Sequence, residues 1–243
     1  MTSDVFELRA DWGLRRESVE ECAARLARML DRLSDLHPGF RHLIVDANWN
    51  VARPSSLLPR RAAEIVHFLD RVKIYREGRK RRFEDGCHLH ASGEWAKDRF
   101  VMFTLYAGGH SDVQRQASAI NWISVTLNTR DDGADDRITL SALVPSLRDM
   151  IAAWQPSRAG AFSTMYRQLG RRQDDRWPYP WGSWALYLAP DSATKVAPPA
   201  NAVVQHCGEG GRLLLAAEEP FDIRNSGHVA AAEAIHAAVT PWP

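Results

Sequence analysis

The chain has 243 residues, with 31 lysine and arginine residues against 30 aspartate and glutamate residues, so its formal net charge is +1. This balance provides no global attraction to nucleic acid or to an acidic membrane surface. Cys22, Cys87 and Cys207 are far apart and lack CxxC spacing, which argues against a disulfide framework and a cysteine zinc site. We expect a reduced, cytoplasmic protein, because the sequence shows no secretory signal and no apolar run of the ~20 residues that a membrane span needs.

The first half of the chain contains both helix and strand signals. Ser18 and Glu21 have the spacing of a capping box, which predicts a helix that ends at His37-Pro38-Gly39. Apolar residues on one side of this helix recur every three or four positions. The same kinds of pattern predict strands at 5–10 and 42–45, a helix at 59–72, and strands at 99–107 and 120–128.

The second half of the chain ends in strands and a final helix. The patterns predict a helix at 141–154, a strand at 161–169, a loop at 171–180, strands at 183–189, 202–206 and 212–217, and a helix at 226–239. The glycine-rich segment 208–211 precedes a strand-like run, so it predicts a hairpin turn and not a phosphate-binding loop, which needs a following helix.

The order of these elements indicates the fold class. Helices flank a central block of consecutive strands, which predicts an α+β protein with a mostly antiparallel central sheet and helices packed on one face. No long linker interrupts the pattern. We therefore expect a single domain over residues 1–243.

One segment has residues that are suited to metal chemistry. His88 and His90 are two positions apart, so both imidazoles would lie on the same side of an extended segment, as two metal ligands must. Glu94 or His110 could supply a third ligand. A metal-dependent enzyme is therefore one alternative, although paired histidines on a surface strand are the simpler interpretation because no third ligand is fixed. The chain contains no G-x-S-x-G nucleophile motif.

Two charged runs offer contrasting interaction sites. The basic run Arg79-Lys80-Arg81-Arg82 could contact nucleic-acid phosphates, which makes a nucleic-acid-binding module the second alternative. Acidic residues flank this run, so a solvated loop is the preferred interpretation. The acidic run at 131–136 is typical of a solvated turn, and it could also present a negative patch to a basic partner.

Several short motifs resemble the immunity protein 52 family of bacterial proteins, which are encoded next to polymorphic toxins. The resemblance starts with Trp12-Gly13, Arg15, Glu17-Ser18 and Cys22, and it continues with Leu36-His37-Pro38 at the end of the first helix. It then includes Trp154 with Pro156, the aromatic run Trp181-Gly182-Ser183-Trp184-Ala185-Leu186-Tyr187-Leu188, and Asn225 with His228, Ala231 and Ala232. The motifs span nearly the whole chain, and the region 76–95 matches nothing in the family pattern.

The resemblance implies a binding protein and not an enzyme. Such a protein would neutralise a cognate toxin domain, of nuclease type, by stoichiometric binding, and a neighbouring gene would encode that toxin. It would need no cofactor and no metal, and neither nucleic acid nor membrane would be a partner. Trp12, Arg15 and His37 would then stabilise the fold. From local charge and aromatic content, we predict toxin contacts at Asp131, Asp132, Asp135, Asp136, Asp174, Asp175 and Trp177.

Overall fold

The computed structural model describes residues 5–45, 56–71, 83–96, 99–110, 121–128, 136–173 and 183–240. The strands of this part of the chain are β1 (Val5–Trp12), β2 (Ile44–Val45), β3 (Ser56–Leu57), β4 (Cys87–Ala96), β5 (Arg99–Ala107), β6 (Asn121–Asn128), β7 (Arg158–Ser163), β8 (Ser183–Leu188), β9 (Val203–Cys207) and β10 (Gly211–Leu215). Its α-helices are α1 (Val19–Leu36), α2 (Ala62–Arg71), α3 (Asp136–Trp154), α4 (Thr164–Gln173), α5 (Pro190–Ala193) and α6 (Ser226–Ala238). The predicted α+β class is confirmed.

The chain divides into two compact units, neither of which is a continuous segment. The first unit consists of Met1–Ala10, Leu127–Ala152 and Pro156–Pro243, and the second consists of Asp11–Thr126 and Ala153–Gln155. The chain therefore passes from one unit to the other four times, inside β1, β6 and α3 and between Gln155 and Pro156.

The second unit contains adjacent strands in the order β3-β2-β4-β5-β6. The β3–β2, β2–β4 and β4–β5 pairs are antiparallel. Helix α1 starts with the predicted capping box: the Ser18 side chain accepts from the Glu21 amide, and the Glu21 carboxylate accepts from the Ser18 amide. A 3-10 turn at Pro38–Phe40 follows α1 and packs against β4 so closely that the Gly39 carbonyl lies where a Cβ of Gly93 would be.

The first unit contains adjacent strands in the order β1-β7-β8-β10-β9. The β7–β8, β8–β10 and β10–β9 pairs are antiparallel, and the glycine-rich segment 208–210 forms the predicted turn between β9 and β10. All six residues of β8 are buried, so this strand is covered on both faces. Strands β4 and β5 of the second unit match the predicted packing on one face more closely than β8 does, because one face of those strands is partly exposed.

The prediction of a strand at 161–169 is wrong beyond Ser163. The chain turns into α4 there, because the Ser163 hydroxyl accepts a hydrogen bond from the Tyr166 amide at 3.0 Å, as a helix N-cap does. The predicted loop at 171–180 is likewise helical up to Gln173. The apolar run of β7 that precedes Ser163 masked this capping serine.

Helix α3 starts five residues before the predicted position, 141, and contains Pro145 in its interior. Proline in a helix interior removes a helical hydrogen bond. Thr139, Leu143, Leu147 and Met150 are buried on both sides of the proline, so packing maintains the helix through it. Strand β4 and the short helix α5 were not predicted as regular elements.

The single domain over 1–243 stays a prediction, and its measurement is the cooperativity of unfolding. We expect one urea transition that is the same by far-ultraviolet and near-ultraviolet circular dichroism, because three of the four crossings between the units lie within regular elements. Two separated transitions would contradict the prediction.

In the part of the chain that the structure describes, no helix is both long and apolar enough to cross a membrane.

Candidate functional site

Strands β4, β5 and β6 have one buried face and one partly exposed face. Burial alternates along each strand, since successive side chains of a strand point to opposite sides. The buried side is lined by small and aliphatic groups, by Phe103 and by Asn121. The other side, which we call the open face, consists of His88, His90, Ser92, Glu94, Phe100, Met102, Thr104, Tyr106, Trp122, Ser124 and Thr126.

The register of the strands orders the open face into rows. Cross-strand partners lie on the same face of an antiparallel pair. His88 lies opposite Tyr106, His90 opposite Thr104, Ser92 opposite Met102 and Glu94 opposite Phe100. The edge strands continue the third row, because Ile44 of β2 is opposite both Ser92 and Leu57. Ile44 and Leu57 therefore belong to the open face as well.

The two histidines lie on the same face, as predicted, and each has a side chain of another strand beside it. His90 Nδ1 is 2.9 Å from the Thr104 hydroxyl. The His88 ring centroid lies 6.4 Å from that of Trp122, and burial, together with the nearby His90, lowers the pKa of His88. Nowhere in the described ranges do three or more His, Cys, Asp or Glu side chains form a group that could hold a metal ion.

Glu94 and His110, the other two candidate metal ligands, lie in different surroundings. Glu94 shares the open face and is exposed. His110 follows β5, and its Nδ1 is 2.8 Å from the Gly108 carbonyl oxygen. Among the described residues, the structure therefore brings His88, His90 and Glu94 to one face without assembling a ligand set.

The predicted toxin contacts fall largely outside the described residues. Asp131, Asp132, Asp135, Asp174, Asp175 and Trp177 lie there, as does the basic run Arg79-Lys80-Arg81-Arg82. Asp136 is the first residue of α3. These assignments stay predictions.

The motif residues near the N-terminus form a buried structural cluster in the second unit. The Trp12 and Trp154 rings stack with centroids 4.7 Å apart. The Arg15 guanidinium donates to the Trp154 carbonyl at 2.9 Å and to the Glu17 carboxylate at 2.8 Å. Because the last carbonyls of a helix lack intrahelical partners, Arg15 caps the end of α3. This geometry supports the interpretation of Trp12 and Arg15 as residues that stabilise the fold.

The two histidines of the family motifs, His37 and His228, also have structural partners. His37 is buried, and its Nδ1 accepts from the Gly39 amide at 3.1 Å, which fixes the turn after α1. His228 is buried in α6 of the first unit, with Nε2 2.8 Å from the Glu219 carboxylate. Asn225 caps α6 by accepting from the Gly227 and His228 amides. None of these side chains belongs to the open face.

The cysteines are buried thiols. Cys22, Cys87 and Cys207 are free, and burial raises the pKa of each, that of Cys87 to about 12. A thiol that stays protonated is a poor nucleophile and a poor metal ligand. Cys22 therefore packs in the core as a small apolar group.

Comparison with known proteins connects this structural framework to a family. The family model described as immunity protein 52 matches residues 4–241. The chain belongs to the immunity protein 52 family. A comparison with curated proteins yields no significant match.

A solved structure has the same fold as this family member. It is the Pseudomonas aeruginosa type VI secretion system (T6SS) protein PA0821, which is 10% identical with a TM-score of 0.53 over 97% of this chain and 73% of that chain. At this level of identity, the likeness concerns the fold.

The open face is the candidate site that sequence reasoning missed in this immunity protein 52 member. Its signal is present in β5, where Phe100, Met102, Thr104 and Tyr106 alternate with buried apolar residues. That alternation predicts one solvent-facing side of a strand. The pairing of β5 with β4, and of β4 with the exposed Ile44, depends on long-range register that the pattern does not contain.

Proposed function

We propose that this chain is an antitoxin-like immunity protein that binds a cognate bacterial toxin and neutralises it by stoichiometric protein–protein binding. The observation that carries the proposal is the family match over residues 4–241. The fold likeness to a type VI secretion system protein supports an effector–immunity pair of that system. The protein acts in the cytoplasm as a binding protein, without catalysis or cofactor, and its toxin is encoded by a neighbouring gene.

The proposed toxin is a nuclease-type effector, and physical chemistry suggests how it would be inhibited. A nuclease has a basic substrate cleft, since it binds phosphates. An inhibitor that presents carboxylates to that cleft is captured quickly through charge complementarity. A stable complex buries about 1,200–2,000 Å² of surface. Neither nucleic acid nor a membrane takes part in this binding.

Co-expression tests the proposal directly. The protein is expressed with the effector encoded beside its gene, and survival and co-purification are scored. We expect full rescue and a 1:1 complex. Toxicity that persists, with no complex in pull-down, would contradict the immunity function.

The acidic contacts give a more specific prediction. Reversal to lysine of Asp131, Asp132, Asp135, Asp136, Asp174 and Asp175 should weaken toxin binding and slow association, with the largest loss at low salt, because exposed charges act mainly through long-range attraction. Alanine at Trp177 should speed dissociation by removal of an aromatic anchor. Surface plasmon resonance at two salt concentrations measures both effects.

A matched control separates these contacts from net charge. Glu209 and Glu218 are exposed acids of the first unit, and their reversal to lysine should leave binding nearly unchanged. If the acidic-run variants bind as tightly as the wild type, the assignment of these residues is wrong, while the immunity function would still stand.

A further inference from the structure

Exposed apolar side chains are concentrated on the open face. Of the large apolar side chains that are exposed in the described ranges, Leu57, Ile44 and Phe100 lie on this face, with exposed fractions of 60%, 47% and 38%. The fourth, Val204, is 38% exposed on β9 of the first unit. Leu57, Ile44 and Met102 follow one another along a single row of the register, separated only by Ser92. Scattered apolar residues are ordinary on a surface, whereas a contiguous row marks an interaction site.

The other end of the face has the side chains that dominate protein interfaces. Trp122 and Tyr106 are half-buried there beside His88. Tyrosine and tryptophan are enriched at interface centres, because each buries a large rigid surface and retains one polar group. Their partial exposure leaves surface that a partner can still cover.

The open face has little charge. Glu94 is the acidic side chain among the open-face residues, which include no lysine or arginine. Burial favours the neutral form of His88, whose pKa is lowered. Depletion of charge is the feature that distinguishes the core of an interface from the rest of a protein surface. A partner surface that matches this face is therefore uncharged and apolar, and it differs from the basic cleft of a nuclease.

We propose that the open face is the surface on which the toxin docks, through an apolar, uncharged patch of the toxin outside its catalytic cleft. This inference rests on the proposed immunity function, which supplies the partner. It divides the binding between two regions: the acidic residues attract the toxin, and the open face holds it.

The size of the face agrees with this role. The part of the face on β4, β5 and β6, without Ile44 and Leu57, has four rows across three strands, which at spacings of about 6.8 Å along and 4.8 Å between strands cover roughly 400 Å². A standard interface uses about 800 Å² on each partner. The face therefore supplies about half of one side of such an interface, as its apolar centre.

The composition favours the toxin over a second copy of this chain. Serine and threonine alternate with the apolar groups at Ser92, Thr104, Ser124 and Thr126. Permanent homodimer interfaces are more apolar than this. A mixed face remains stable in water until the toxin arrives, which an immunity protein requires.

Charge insertion tests the proposal. Ile44→Glu and Leu57→Glu, made separately, each place a carboxylate on the face at an exposed position. We expect each to raise the Kd for the effector encoded beside the gene by at least about tenfold, because the carboxylate must be desolvated without a partner. A negative charge would not weaken attraction to a basic cleft, so the sign of the effect separates docking on this face from general electrostatics.

Val204→Glu is the matched control, since Val204 is exposed on a strand of the other unit. It should bind with the wild-type Kd. Phe100→Thr removes apolar surface without adding charge, and it should also weaken binding. This variant keeps the test valid if the glutamate variants fail to fold. Circular dichroism confirms the fold of each variant.

The outcomes are distinct. Wild-type affinity in Ile44→Glu, Leu57→Glu and Phe100→Thr, together with normal rescue, overturns the docking surface and leaves the immunity function intact. If the wild-type protein neither binds the effector nor rescues the cell, both the docking surface and the immunity function are overturned. A wild-type dimer in light scattering that Leu57→Glu dissociates, with toxin binding unchanged, assigns the face to self-association and also overturns the proposal.

Discussion

Trp154→Ala lowers the free energy of unfolding by about 3–5 kcal/mol, the range for a buried tryptophan that is replaced by alanine. Trp154 is fully buried, its ring stacks on Trp12, and its Nε1 donates to the Met29 sulfur at 3.2 Å. The substitution leaves a cavity and removes the stacking partner of Trp12. Because whole domains unfold at about 5–15 kcal/mol, this loss is a large fraction of the total. Urea denaturation followed by circular dichroism measures it.

Trp122→Ala provides the matched control for this prediction. Trp122 is half-buried on the open face, so the same chemical change removes less buried surface and leaves no enclosed cavity. We expect a loss of less than about half that of Trp154→Ala. Equal losses in the two variants would contradict the interpretation of Trp154 as a core residue of the second unit.

Acid destabilises the protein through two buried histidines. Burial lowers the pKa of His37 and that of His236 from 6.5 to about 4 in each case. The unfolded chain therefore binds protons that the folded chain does not between pH 6.5 and 4. The stabilisation is complete above pH 6.5 and is lost as the pH falls towards 4. When the pH falls from 7.5 to 5.0, each histidine lowers the free energy of unfolding by about 2 kcal/mol. Urea midpoints at these two pH values measure the difference.

Neutral replacements should remove most of this pH dependence. Asparagine at position 37 retains an acceptor for the Gly39 amide, and glutamine at 236 retains a donor to the Ser183 carbonyl, which lies 2.8 Å from His236 Nε2. The double variant His37→Asn with His236→Gln should be nearly as stable at pH 5.0 as at pH 7.5. Other groups, including His88, whose pKa is also lowered, contribute the part of the pH dependence of stability that remains. An unchanged slope in a folded double variant would contradict the assignment.

Local signals predicted much of the fold. The capping box at Ser18 and Glu21 identified the start of α1, and the alternation in β5 identified that strand to both of its ends. These features depend on neighbours within a few residues. The start of α4 was missed because the Ser163 cap follows an apolar run that continues β7. The start of α3 was missed because the acidic run at 131–136, which predicts a turn, extends to Asp136, the first residue of this helix.

The candidate site was less accessible to sequence reasoning than the fold. The spacing of His88 and His90 predicted their common face correctly, since that follows from strand geometry alone. The chemistry of the pair depends on Thr104 and Trp122, which come from other strands. The row that contains Leu57, Ile44 and Met102 joins four strands, and only the register of the sheet brings them together. Acidic runs are visible in the sequence, whereas a face that is assembled by strand register is not.

The position of β1 next to β7 has a consequence for synthesis on the ribosome. Val5 and Glu7 of β1 accept bonds from Thr164 and Arg167, which are separated from them by about 160 residues. Strand β1 therefore cannot pair with β7 until residues 158–163 have also been synthesised. Pairings between such distant segments fold slowly, because a long loop must close before any contact forms. Under the proposed immunity function, a cell that makes toxin and immunity protein together would be protected by molecules completed earlier, so a standing excess of folded protein would matter more than simultaneous expression.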